Sequence, residues 1–319
     1  MNWLDRTTRI ELDPRDVDLQ DRTYYVPCFA PLGPLVDSIA RVGLIFDPVV
    51  QESRGVTPVV VLGRRRLMAA REAGLSSVNV RVLPSDMPVA DGLRLAFWDN
   101  IGQRRIDTAF RAILVRRLLG VFSKEEVAAE FLDPLGIPPK GPRLEHLRLI
   151  GGLEEPVLQA LAAGRISEKT AAVLVHLGPD GRRALMELCD LLKLNANKSA
   201  EVIGALWDLS VLHGKSVEEW ISDEQVTDLL SNSDAPVSER AERFRRLVRS
   251  WKFPELIEKE RLFREWRDRV VASEDISIVP TPGFEDERCV VQISTESWKE
   301  AEEIIGVVRK ARGNGTPSD

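Results

Sequence analysis

The sequence predicts an α+β N-terminal domain, an all-α helical middle domain and a small α+β C-terminal segment. Three observations support this prediction. Strand and helix signals alternate over roughly the first hundred residues, the pattern from about residue 107 to 271 is almost purely helical, and a hairpin signal with one helix follows. A chain of 319 residues is expected to form two or three domains. We therefore divide it into 1–104, 105–231 and 232–319.

The N-terminal elements follow from local patterns. Leu35, Ile39 and Val42 recur at helical spacing and end at Gly43, which predicts a helix with a glycine C-cap. The other predicted elements are strands at 47–51, 57–62 and 78–83 and helices at 64–73, closed by Gly74, and 89–101, stopped by Gly102.

Helix starts in the rest of the chain are marked by capping residues. Ser123 and Ser216 each precede a glutamate by three positions, which predicts capping boxes. Asp107, Ser167 and Ser238 are predicted N-caps. After a polar linker at 231–237, the predicted C-terminal elements are helices at 238–251 and 254–271, strands at 276–281 and 288–293, a helix at 297–312 and a disordered tail from Gly313.

Composition restricts the class of protein. The net charge of −6 is more acidic than is usual for a dedicated DNA-coating protein. Cys28, Cys189 and Cys289 are odd in number and far apart, which argues against a disulfide framework and for a reducing cytosol. We see no signal peptide and no apolar run approaching the ~18 residues that a membrane span needs. We therefore expect a cytoplasmic protein.

A glycine followed by three arginines stands between a predicted strand and a predicted helix. Gly63 lets a ligand approach the backbone closely, and Arg64, Arg65 and Arg66 occupy the helix start. The first N–H groups of a helix lack partners, and the dipole there favours negative charge. This combination predicts a phosphate site. The pattern alone also allows a solvated basic turn with one internal salt bridge.

The helix phase distinguishes one of these arginines. Arg66 falls on the apolar face that carries Ala70 and Ala73. A cation that leans toward a core needs an anionic partner, because an unpaired buried charge is costly. A protein carboxylate or a ligand phosphate must supply that partner.

A set of short stretches follows a characteristic order along the chain: Leu35 to Gly43, Pro48 to Val50, Gly63 to Gly74, Val78 to Val82, Asp99 to Arg104, Leu147 to Ile150, Pro156, Gly164 to Ser167, and Ala171. Taken in this order, they resemble the N-terminal and middle domains of ParB-like chromosome and plasmid partition proteins. The resemblance covers about residues 8–180, including the ParB/sulfiredoxin-like N-terminal domain.

The resemblance implies a CTP-binding clamp that acts as a homodimer, with DNA and a partition ATPase as partners. Carried over to this sequence, the nucleotide site comprises Gly63, Arg64, Arg65, Arg66, Asp99 and Asn100. The glycine–arginine turn would hold the phosphates, and Asp99 with Asn100 would hold Mg²⁺, which favours such oxygen donors beside phosphate. Without the resemblance, Asp99 and Asn100 could equally form a helix cap before Gly102.

Three departures from the family pattern bear on turnover. Arg64 stands where the family usually has glutamate, Asp47 stands where it often has glutamine, and Asp99 is an aspartate with a shorter reach. An arginine cannot position water or metal as a carboxylate can. We therefore expect nucleotide binding with at most weak CTPase activity, and we assign no catalytic residue.

The family's middle domain reads DNA with a helix-turn-helix, and the matching unit here is altered. The helix signal at 123–130 is followed by a proline-rich stretch at 132–142, longer than such a turn normally allows. The polar residues offered to DNA by the next helix and its approach are Lys140, Arg143, His146 and Arg148. Glu145 among them would repel phosphate, so DNA binding is left open.

Two other functions remain open. The fold group also includes kinases and proposed nucleases, but Asp47 is the only candidate base near the motif. Alternatively, the chain is a nucleotide-responsive adaptor that no longer binds DNA. The C-terminal segment is a possible dimerisation domain by analogy with partition proteins.

Overall fold

The computed structural model describes residues 3–53, 56–103, 106–139, 141–232, 234–270, 275–284, 286 and 288–313. The chain forms two compact units, Met1–Ala241 and Glu242–Asp319. The predicted fold class is confirmed: an α+β region comes first, a helical region follows, and a small α+β segment ends the chain. The division at 104/105 lies inside the first unit and remains a prediction.

A four-stranded mixed sheet organises the N-terminal region. Its strands follow the order β1-β4-β2-β3, with β2 parallel to β4 and the other neighbours antiparallel. Val50, Leu67 and Val80 are fully buried in its core. The elements are β1 (Thr8–Leu12), α1 (Gly33–Val42), β2 (Val49–Ser53), β3 (Val56–Leu62), α2 (Arg64–Glu72), β4 (Val78–Leu83) and α3 (Val89–Gln103).

The structure corrects the sequence-based elements in three places. Strand β1 was not predicted, because this edge strand is exposed along nearly its whole length and carries no buried apolar pattern. Helix α3 does not stop at Gly102 but continues to Gln103, since a glycine in a helix costs only about 1 kcal/mol. Ser238 is not a cap, because the helix containing it already begins at Val237.

The helical region continues the first unit. Asp107 and Ser167 cap their helices, and Ser123 and Ser216 form the predicted capping boxes. Its helices are α4 (Thr108–Leu118), α5 (Lys124–Glu130), α6 (Arg143–Ile150), α7 (Glu155–Ala162), α8 (Glu168–Leu174), α9 (Pro179–Leu191), α10 (Ala196–His213), α11 (Val217–Ile221) and α12 (Glu224–Ser231).

The C-terminal elements include the predicted hairpin, whose strands pair antiparallel with Ile276 opposite Ile293. The tail was predicted to begin at Gly313, but Gly313 is the last residue of the C-terminal helix, and residues 314–319 lie outside the described residues. No helix in the described parts of the chain is long and apolar enough to cross a membrane. The elements are α13 (Val237–Lys252), α14 (Pro254–Val270), β5 (Ile276–Pro280), β6 (Cys289–Ile293) and α15 (Trp298–Gly313).

Candidate functional site

A cavity of about 270 Å³ lies where β3 passes into α2. It brings together the two groups that the sequence singled out, the glycine–arginine turn and the polar pair near the end of α3. The lining residues are Tyr24, Tyr25, Val26, Cys28, Val60, Val61, Leu62, Gly63, Arg64, Arg65, Arg66, Asp99 and Asn100.

Gly63 gives the turn its shape. Its φ of 83° lies in the left-handed region, where a side chain is strained, and it precedes α2 without any side-chain cap. A β-carbon built there would lie 2.9 Å from Nη2 of Arg66. The glycine therefore allows the guanidinium of Arg66 to fold back over the start of its own helix, where the first backbone N–H groups lack helical partners.

Arg66 is half-buried, as its place on the apolar face of α2 requires. Its Nη1 donates to the carbonyl of Phe46 at 2.8 Å. Burial lowers the pKa of the Arg66 guanidinium, and the carboxylates of Asp99 and Asp47 act in the opposite direction. Within the described residues it forms no direct ion pair, so these carboxylates influence Arg66 without neutralising it at contact distance.

Arg64 and Arg65 bind backbone carbonyls of the segment between β1 and α1. Arg64 donates to the carbonyl of Leu19 at 2.7 Å and to that of Asp21, and its guanidinium lies 4.5 Å from the ring centroid of Tyr25. Arg65 donates to the carbonyls of Ala30 at 2.5 Å and Pro31 at 2.7 Å. Carbonyls satisfy these donors but leave the charge of the guanidinium in place.

Asp99 and Asn100 reach the cavity from the last turns of α3. The Asn100 side chain is only 8% exposed, and its amide nitrogen donates to the carbonyl of Ala96 at 2.6 Å. The amide oxygen is thereby the atom left for a ligand. Because α3 continues through Gly102, these two residues do not form the helix cap that the sequence alone allowed. Two hard oxygen donors beside an arginine-lined cavity fit Mg²⁺ together with phosphate.

A second cavity, of about 760 Å³, shares Leu62, Arg66 and Asp99 with the first. Its lining includes Phe46, whose side chain is 72% exposed, and Asp47. Asp47 accepts hydrogen bonds from Arg9 at 2.8 and 3.2 Å, so the only candidate base that the sequence offered is already held by a cation.

The sequence reasoning missed the wall of the first cavity. Tyr24, Tyr25 and Cys28 come from a segment without helix or strand, and a segment of that kind has no periodicity to detect. Tyr24 is buried, and its hydroxyl donates to Oε1 of Gln51 at 2.6 Å. Burial, with a smaller contribution from Asp21, raises the pKa of Tyr24 to about 12.

Arg143, His146 and Arg148, which the sequence offered to DNA, lie on α6, outside this cavity. Arg143 pairs with Glu168 at 3.4 Å, and Arg148 pairs with Glu145 at 2.5 Å. His146 is exposed, and Lys140 lies outside the described residues. These two arginines therefore already have acidic partners within the chain.

The first half of the stretch between α5 and α6, residues 131–137, packs into the core. Leu132, Leu135 and Ile137 are buried, and Arg111 donates to the carbonyl of Leu135 at 2.8 Å. The two helices are consequently not joined by the short turn of a helix-turn-helix, in agreement with the length expected from the prolines.

No family model matches this chain. It is similar to the solved structure of the C-terminally truncated chromosome-partitioning protein ParB from Caulobacter crescentus complexed with CTP-gamma-S, with 19% identity over 57% of this chain and 98% of that chain and a TM-score of 0.25. The same protein complexed to the centromeric parS site gives 16% identity, 60% and 96% coverage, and a TM-score of 0.31. A Pnob8-like ParB-N domain gives 14% identity, 77% and 98% coverage, and a TM-score of 0.36.

Proposed function

We propose that this chain is a ParB-like partition or regulatory protein that binds a nucleoside triphosphate with Mg²⁺ in the cavity at Gly63–Arg66. One observation carries the proposal. Three consecutive arginines and the Asp99–Asn100 pair line a single cavity, and within the described residues none of the three guanidinium groups makes a direct ion pair. A polyanion would neutralise these three guanidinium groups at contact distance.

The electrostatics of the cavity favour an anion. Burial lowers the pKa values of Arg64 and Arg66, which means that the surroundings disfavour their charged forms. Hydrogen bonds to neutral carbonyls offset part of that cost. Phosphate oxygens beside these guanidinium groups would also neutralise their charge, which carbonyl oxygens cannot do.

Asp99 has a specific role in this proposal. A carboxylate close to phosphate would repel it unless a cation lies between them. Mg²⁺ bound by Asp99 and Asn100 would supply positive charge that bridges the carboxylate and the phosphates. The proposal therefore predicts that binding of the nucleotide depends on the metal.

CTP is the nucleotide that the family resemblance implies, and we propose binding without efficient hydrolysis. Arg64 replaces the family's glutamate with a cation, and Asp47 is held by Arg9. A general base must be free to reach the proton that it abstracts, so neither residue is suited to activate water. The same arrangement disfavours the alternative of a kinase or nuclease on this fold.

Cys28 provides a direct test of ligand occupancy. Cys28 is a half-buried residue of the cavity lining, whereas Cys289 is exposed and Cys189 is buried. We expect CTP with Mg²⁺ to slow labelling of Cys28 by a thiol reagent while Cys289 reacts at an unchanged rate. Equal protection by ATP and GTP would refute the choice of CTP, and no protection by any of the three would refute the site.

DNA binding is the second part of the proposal and is supported by Arg143, His146 and Arg148, which face solvent along α6. Glu145 limits it by pairing with Arg148. Replacing Glu145→Gln releases that arginine, so the variant should be retained more strongly on DNA, with a salt dependence steeper by about one phosphate contact. If neither protein binds DNA at low salt, the chain is a nucleotide-responsive adaptor.

A homodimer through the C-terminal segment completes the proposal. Strand β6 is exposed along its length although most of its residues are apolar, among them Val290 and Val291. An isolated two-stranded hairpin is at best marginally stable in water, so a second copy that covers it would stabilise it. The parent chain should sediment as a dimer, and Val291→Lys should shift its mass toward that of the monomer. A parent chain that sediments as a monomer would refute this interface. A partition ATPase as partner is implied by the resemblance alone.

A further inference from the structure

The wall of the first cavity is formed by a segment that lies outside any helix or strand and whose carbonyls accept hydrogen bonds from arginines of α2 and α4. Residues 19–32 contain neither helix nor strand, yet they supply Tyr24, Tyr25, Val26 and Cys28 to the cavity. A segment outside a helix or sheet has no ladder of backbone hydrogen bonds to fix it, so its carbonyls must find other partners.

The first of those partners comes from the glycine–arginine turn. Arg64 donates to the carbonyls of Leu19 and Asp21, and its guanidinium lies over the ring of Tyr25. These contacts occupy Arg64 on the wall itself. They also explain how Arg64 is accommodated at a position where the ParB-like family usually has glutamate. The Arg64 donors point to backbone carbonyls, to which a carboxylate could not donate.

The second partner comes from the helical region. Arg117 of α4 donates through Nη1 to the carbonyl of Thr23 at 3.0 Å and to that of Arg22. Its neighbours Val115 and Leu118 are buried, which fixes α4 in the core and gives Arg117 a rigid base. Arg117 does not line the first cavity.

We propose that Arg64 and Arg117 are a pair of positioning residues that together hold residues 19–23 through adjacent backbone carbonyls, so that helix α4 helps to position the wall of the nucleotide cavity. The two guanidinium groups repel each other, and burial together with Arg22 and Arg64 lowers the pKa of Arg117. Neither arginine is therefore stabilised by a direct interaction with the other. What they share is the segment of carbonyls between them, so removing either one releases that segment.

The position of the wall is measured through Cys28, with no nucleotide present. A Cys289→Ser background removes the exposed thiol and leaves Cys189 buried. In this background we expect Arg117→Ala to raise the labelling rate of Cys28 by about tenfold, the factor expected for losing one or two hydrogen bonds from a charged donor. Arg64→Ala should do the same.

The double variant decides whether the two arginines act on one segment. If they do, Arg64→Ala combined with Arg117→Ala should label Cys28 little faster than the faster single variant, because coupled residues are not additive. Arg116→Ala is the control, since Arg116 is an exposed neighbour that lies against Gly152 and, among the described residues, donates no hydrogen bond to the wall. Arg117→Lys keeps the positive charge and controls for a folding defect in Arg117→Ala. It should restore part of the protection of Cys28 from labelling. Labelling of Arg117→Ala at the parental rate would overturn the proposal.

A second readout rests on the proposed nucleotide function. Arg117→Ala should weaken binding of CTP with Mg²⁺ by severalfold although Arg117 lies outside the cavity lining, and Arg116→Ala should not. Equal CTP affinity in the parent chain and Arg117→Ala would contradict the effect of the wall on the ligand. If the parent chain binds no nucleotide, the proposed function fails, and the Cys28 rates still decide whether Arg117 positions the wall.

Discussion

The guanidinium of Arg66 lies directly over Gly63, and a β-carbon at Gly63 would come within 2.9 Å of its Nη2. The position of the Arg66 guanidinium therefore depends on the absence of a side chain at Gly63, whose positive φ also favours glycine. It places a half-buried cation at the start of α2, beside the cavity that Asp99 enters from α3. Most of the testable consequences follow from this turn.

Gly63→Ala should lower both stability and affinity. A side chain at this φ costs about 1–2 kcal/mol of unfolding free energy, and the added carbon displaces Arg66. Gly74→Ala is the matched control, because Gly74 has a φ of 75° but no heavy atom within 4 Å of the added carbon. Urea unfolding should show similar losses in both variants, and calorimetry should show weaker CTP binding only in Gly63→Ala. Equal affinities would mean that Arg66 is not held by the glycine.

Arg66→Ala should weaken CTP binding by about tenfold or more, the usual effect of removing a hydrogen bond donor with a charge. Arg66→Lys should recover only part of the loss, because an ammonium cannot reproduce the planar fork of a guanidinium. Arg71→Ala, at an exposed position on the same helix, should bind as the parent does. A similar loss in Arg71→Ala would indicate a general effect of net charge.

Asp99→Asn should distinguish the effect of Asp99 on the metal from its effect on the phosphates. With Mg²⁺ present, the variant should bind CTP at least about tenfold more weakly, because it loses a charged oxygen ligand. With the metal chelated, it should bind at least as well as the parent, because the carboxylate no longer repels phosphate. A loss of the same size in both conditions would show that Asp99 supports the fold and not the metal.

Tyr24→Phe should change the response of stability to alkaline pH. The folded protein raises the pKa of Tyr24 from 10.0 to about 12, so its contribution is fully present below pH 10 and is lost as pH rises toward 12. The variant lacks this ionisation and should lose less stability between those two pH values. At neutral pH the free energy of unfolding of the variant should be lower by about 1 kcal/mol, because Oε1 of Gln51 loses the hydrogen bond donated by Tyr24. Parallel curves from urea unfolding across this range would contradict the assignment.

The sequence predicted the parts of the site whose chemistry resides in side chains. Gly63 and Arg66 stand at the start of α2, and Asp99 and Asn100 stand in the last turns of α3. The fold brings these short motifs to one cavity. The role of Arg117 could not be predicted, because its partners are backbone carbonyls, which every residue carries.

Regular elements were predictable where one face is buried. Strand β4 was predicted from its alternating valines, with Val78 and Val80 buried. Strand β1 was missed because its register is set by pairing with β4 at an exposed edge, not by a buried face of its own. The cavity wall at 19–32 was also not predicted, because no repeating pattern of apolar residues marks it.

Calorimetric titration of the parent chain with CTP, ATP and GTP, each with and without Mg²⁺, tests the central claim most directly. We expect saturable binding of CTP that Mg²⁺ strengthens and that Arg66→Ala weakens. Absence of binding by all three nucleotides, in protein whose circular dichroism shows an intact helical fold, would contradict it.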